Sequence, residues 1–174
     1  MKRIFLFFAL LLACTPALQA QNIRKRYTSL TTENGSLYFI FPRKLAATGD
    51  TDGEKNLPLD LTYLTSNDSI FFTVSLRIPG NRSVDSVRIE AVSGEQASAT
   101  PERIYIDARR SGYEHRLRFG IPFRQARRLY DEASPYVLRF VMADGTYSYA
   151  FPAKAWKKER AVISRIFEVF EINR

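Results

Sequence analysis

The chain has 174 residues, one cysteine, one histidine, and 26 basic against 18 acidic side chains, for a net charge of +8. One domain's length of chain can bury a core without staples, and this inventory excludes a disulfide framework and a zinc site built from Cys and His clusters. The positive balance favours acidic partners: lipid headgroups, polyanionic glycans or nucleic acid.

Met1-Lys2-Arg3, an apolar run over 4–13, Pro16 and the small residue Ala20 describe a secretory signal peptide over 1–20. The run is shorter than the roughly 20 apolar residues of a spanning helix. Two processing routes are open. Cleavage after Ala20 releases a soluble chain that begins at Gln21. Alternatively, Leu11-Leu12-Ala13-Cys14 resembles a bacterial lipoprotein signal over 1–13, with Cys14 lipidated and the protein anchored to the outer membrane. Either way the protein is expected to be exported, to the periplasm or beyond, which makes nucleic acid the least fitting partner. After cleavage at Ala20, residues 21–174 form a single β-rich domain. Losing Lys2 and Arg3 from the 26 basic residues leaves 24 against 18 acidic ones, a net charge of +6.

Residues 27–31 and 36–41 flank Glu33-Asn34-Gly35 and are expected to form a first hairpin, with Asn-Gly supplying positive φ and Pro42 ending the strand. Residues 43–58 read as a long loop. Leu57, Leu59, Leu61 and Tyr63 alternate with Asp60 and Thr62, and Ile70, Phe72, Val74 and Leu76 with Phe71, Thr73 and Ser75, on the two sides of Ser66-Asn67-Asp68, a second hairpin. A fifth strand over 84–92 turns Val87, Ile89 and Ala91 inward, and 94–101 reads as a loop.

Residues 103–109 and 114–121 form a third hairpin. A four-residue loop over 110–113 sets Ile106 opposite Leu117 and Ile104 opposite Phe119, with Tyr105 beside Arg118 outside. Residues 122–133 read as a short helix stopped by Ser134-Pro135. The last hairpin, 136–142 and 146–151, turns at Asp144-Gly145 and pairs Met142 with Tyr147, Phe140 with Tyr149 and Leu138 with Phe151. Pro152 then opens an amphipathic helix over 152–172. Trp156, Ile163, Ile166, Phe167 and Phe170 share one face, and Glu159 inside that face needs a tyrosine hydroxyl or an arginine. About nine short strands built from hairpins, with two helices, indicate an antiparallel β-sandwich or barrel on which the last helix packs.

Catalytic patterns are missing. His115 falls on an inward strand face and reads as a packing residue. Asp50-Thr51-Asp52-Gly53 begins like a calcium loop, but Lys55 and Leu61 stand where such a loop needs Gly and Glu. No catalytic, cofactor-binding or metal-ligating residue is therefore nominated. Asn34, Asn67 and Asn81 fit the three-residue N-glycan acceptor pattern, and Asp68-Ser69-Ile70 and Asp85-Ser86-Val87 resemble short bacterial O-glycan signals.

One surface is nominated instead. Strands 113–121 and 146–151 should run in the same sense if 136–142 lies between them, and each leads through proline into basic helix. That gathers Arg124, Arg127, Arg128, Lys154, Lys157 and Lys158 at one rim, a candidate site for an anionic glycan, a lipid headgroup or an acidic envelope protein. The expected function is a non-enzymatic exported envelope module that binds through this basic rim. The alternative is a carrier of a small apolar ligand, because hairpin strands followed by a C-terminal helix resemble the lipocalin arrangement, although no lipocalin motif is present. A cavity above about 300 Å³ inside the sheet would favour the carrier.

Overall fold

The computed structural model describes residues 23–49 and 53–173. The signal region with both processing sites, and Asp50, Thr51 and Asp52 of the acidic loop, lie outside the described residues. The strands are β1 (Tyr27–Thr32), β2 (Gly35–Ala47), β3 (Asn56–Leu64), β4 (Ser69–Ile78), β5 (Ser86–Glu90), β6 (Gln96–Ala99), β7 (Glu102–Arg109), β8 (Gly112–Pro122), β9 (Val137–Met142) and β10 (Gly145–Ala150). The helices are α1 (Phe123–Asp131) and α2 (Ala153–Ile172). The strands form one antiparallel sheet in the order β6-β5-β9-β10-β2-β3-β4-β8-β7, with β1 also on β2, curled into a half-barrel. This is the mainly β, antiparallel architecture with a C-terminal helix on the sheet that the alternation indicates.

Period-two burial explains the sheet. Leu57, Leu59, Leu61 and Tyr63 of β3 and Ile70, Phe72, Val74 and Leu76 of β4 are all buried, and Val87 and Ile89 of β5 join them. The trough of the half-barrel is filled by α1 and α2. Tyr63 stacks on Phe170 at 4.9 Å between ring centroids, Phe123 packs edge-on against Phe167 at 5.3 Å, and Trp156 stacks on Tyr130 at 5.7 Å. The five inward residues of α2 are those the 3.6-residue period selects. Each such large apolar side chain contributes about 1.5–3 kcal/mol on burial.

Several expectations are corrected. The glycine of each tight hairpin opens the returning strand instead of sitting in the turn: Thr32 lies opposite Gly35, Arg109 opposite Gly112 and Met142 opposite Gly145. The two-residue loops are therefore Glu33-Asn34, Arg110-Ser111 and Ala143-Asp144, and Asn34 does not take positive φ. In the third hairpin Ile106 faces His115 and Tyr105 faces Arg116. The pairing of β8 with β4 decides this register, because it runs from Ser69–Pro122 to Ile78–Tyr113 and draws Gly112 against the Ile78 carbonyl. In the last hairpin Phe140 faces Tyr147 and Leu138 faces Tyr149. That shift of two residues keeps every large apolar side chain on the inner face.

Pro42 does not end β2. The strand continues to Ala47, with a bulge against β3 between Ile40 and Arg43. Proline lacks the N–H that a regular ladder would use, and a bulge removes the need for it. Residues 96–99, read as loop, are β6. β7 is an edge strand beyond the core, so Ile104 is 52% exposed and does not join Leu117. Its charges (Glu102, Arg103, Asp107 and Arg109) and its bulge at Ile104 blunt that edge.

Candidate functional site

The bulge in β2 has a chemical result. Tyr38 and Ile40 point inward; without an extra residue Pro42 and Lys44 would follow them. With it, Arg43 and Leu45 face the interior. Arg43 Nε lies 2.6 Å from Glu159 Oε2, the carboxylate set within the apolar face of α2, and the two side chains are 10% and 18% exposed. Glu159 thus finds the arginine it needs. The contact is an ion pair without aligned hydrogen-bond geometry, and Arg43 Nη2 is buried with no hydrogen-bond partner among the described residues. Beside the pair, the hydroxyls of Tyr130 and Tyr136 meet at 2.9 Å. Burial pushes both phenols far above their ordinary pKa, so they stay neutral.

The two helices run antiparallel. Successive positions along α2 meet descending positions of α1: Trp156 Nε1 donates to the Glu132 carbonyl at 3.1 Å, Arg160 to the same oxygen at 2.8 Å, Ser164 Oγ to the Tyr130 carbonyl at 3.4 Å, and Arg127 reaches Glu171 at 3.2 Å. Trp156, Arg160 and Ser164 thus satisfy carbonyls left open at the C-terminus of α1.

This arrangement corrects the six-residue rim. β8 and β10 do run in the same sense, but through the alternation of β2, β3 and β4, which lie between them; β9 lies on the far side of β10. Because α1 and α2 are antiparallel, Arg124, Arg127 and Arg128 stand by the C-terminal end of α2. Lys154, Lys157 and Lys158 stand at its start, about 20 Å away at 1.5 Å per residue. The α1 group is also largely neutralised: Arg127 pairs with Asp131 and Glu171, and Arg128 with Glu95. Lys154, Lys157 and Lys158 are exposed, and among the described residues none of them meets a carboxylate. The first turn of α2 holds no acidic residue, and Pro152 offers no side-chain cap.

His115 is 1% exposed, between Leu76 of β4 and Ile106 of β7. Burial holds its pKa below the ordinary value, Arg103 adds to the effect, and a hydrogen bond to the Gly80 backbone opposes it. Asn34 and Asn67 fall in turns, the latter accepting the Ser69 N–H at 3.0 Å, while Ser69 and Ser86 open β4 and β5. Among the described residues no cluster of three metal-ligating side chains forms, and no helix is long and apolar enough to cross a membrane. Compared with protein-family models, curated proteins and solved structures, the chain matches none.

Proposed function

We propose that the chain is a non-enzymatic, exported module of the cell envelope that engages an acidic partner through the first turns of α2. The observation that carries this reading is the bare charge of Lys154, Lys157 and Lys158 at the positive end of a 20-residue helix. The ion pairs among the described residues are made by arginines, and the two acidic residues near the negative end of α2 have partners, Glu168 on Arg165 and Glu171 on Arg127. Three cations against the dipole oppose stability, and a local rule broken repeatedly is a pointer to function. The filled trough supports a module that binds on its surface over a carrier that binds inside, since rings of both helices occupy the space a ligand would need.

The test is binding of the mature protein to vesicles containing an anionic lipid and to a sulfated glycan resin. Reversing Lys154, Lys157 and Lys158 to Glu should weaken binding to at least one of these by tenfold or more at about 0.1 M salt, and added salt should weaken the wild type. Equal binding by the triple variant overturns the assignment.

A further inference from the structure

The outer face of the sheet carries a second feature, separate from the lysines of α2. Where β2 bulges, Phe39 and Phe41 both point away from the core and are 39% and 42% exposed. They wall one side of an open groove of about 320 Å³ whose lining includes Thr62 and Thr73. Its other side is Asp60 with Arg116. Arg116 donates to Asp60 Oδ2 through Nη2 and to Ser75 Oγ through Nη1 at 3.0 Å, so the guanidinium is held in place by two neighbouring strands. The volume sits at the lower end of the roughly 300–1,000 Å³ range of ligand pockets.

We infer that this groove binds an uncharged saccharide. The lining selects for that class by elimination and by fit. A free anion would have to displace Asp60 from Arg116, and a free cation would have to displace Arg116 from Asp60, so the paired charges disfavour both. An acyl chain gains nothing from a carboxylate, a guanidinium and two threonines. A peptide strand has no ladder to join, because over this stretch β2 pairs with β1 and β3, and β3 with β4. A sugar ring matches both walls: its C–H face stacks on phenyl rings, and its rim hydroxyls can both donate to a carboxylate and accept from a guanidinium. Asp60 uses only Oδ2 on Arg116 among the described residues, leaving Oδ1 for a hydroxyl. The walls stand on paired strands and need little ordering on binding.

Affinity electrophoresis of the mature protein tests this, in native gels containing dextran, starch, laminarin, xyloglucan or galactomannan, with alginate as the anionic control. Retardation is expected on at least one neutral gel. Phe41→Ala should weaken that association about tenfold, Thr62→Val should weaken it less, and neither should move the thermal midpoint by more than a few degrees. The Lys154, Lys157 and Lys158 triple reversal should leave it unchanged, so this result and the acidic-partner test fail independently. Migration unaltered on every neutral gel, retardation by alginate alone, or retardation that survives Phe41→Ala overturns the proposal. So does concentration-dependent sedimentation abolished by Phe41→Ala, which would give the face to a second copy of the chain.

Discussion

Arg43 and Glu159 show how one extra residue changes what a strand can do. The bulge swaps an outward arginine for an inward one, and the charge it brings in matches the one acidic residue on the buried face of α2. Removing one partner of a buried pair strands the other, so Glu159→Gln should cost about 3 kcal/mol in denaturant unfolding. Arg43→Met with Glu159→Leu should recover most of that loss, and a double variant no better than the single one would show that the pair is not the source of the effect. His115 gives the fold a pH dependence of known sign. Its folded-state pKa lies below the unfolded value of about 6.5, so the unfolded chain takes the proton first. Stability is full above that value and falls as pH drops towards the lower folded value. Urea midpoints at about pH 7.5 and 5.5 should show the fall, and His115→Gln should reduce it.

At the scale of elements, strands and helices were legible where one periodicity rules, and registers were not. The apolar arc of α2 and the alternation of β3 and β4 each depend on one burial requirement, which the sequence states directly. The hairpin registers depend on two strands and on whatever lies beyond them. Asn34-Gly35 and Asp144-Gly145 read as complete turns, yet both glycines belong to the returning strand. Gly112 shows why: at φ +123° its missing Cβ would lie 2.4 Å from the Ile78 carbonyl oxygen, a constraint set by β4, outside the hairpin. Gly112→Ala should therefore cost about 1–3 kcal/mol. Gly145→Ala should stay within about 0.5 kcal/mol, since φ there is not positive and nothing lies within 4 Å. Thermal unfolding of the two variants side by side checks the contrast; equal losses would contradict the register. The candidate site divided in the same way. The lysines of α2 were visible as composition, whereas their separation from Arg124, Arg127 and Arg128 follows from helix packing that no local pattern encodes. The outer groove was hidden because Pro42 read as a strand end.

For the whole molecule, the two ends of α2 are unequal. Arg127 and Arg165 neutralise its C-terminal glutamates, while the three lysines of its first turns have no ion pair among the described residues. Reversing Lys154, Lys157 and Lys158 to Glu should therefore raise the melting midpoint while it weakens binding to acidic surfaces, and a variant that loses both would report damage to the helix instead. The same helix also sets the timing of folding. β2 receives β10 as a neighbour about 100 residues later, and the rings that fill the trough arrive in the final segment of the chain. Until those residues have been made, Tyr38 and Tyr63 of the sheet and Phe123 of α1 lack the rings of α2 they pack against. A growing chain cannot reach its stable state early. Closure of the core is therefore expected to come late, when α2 drops into the trough.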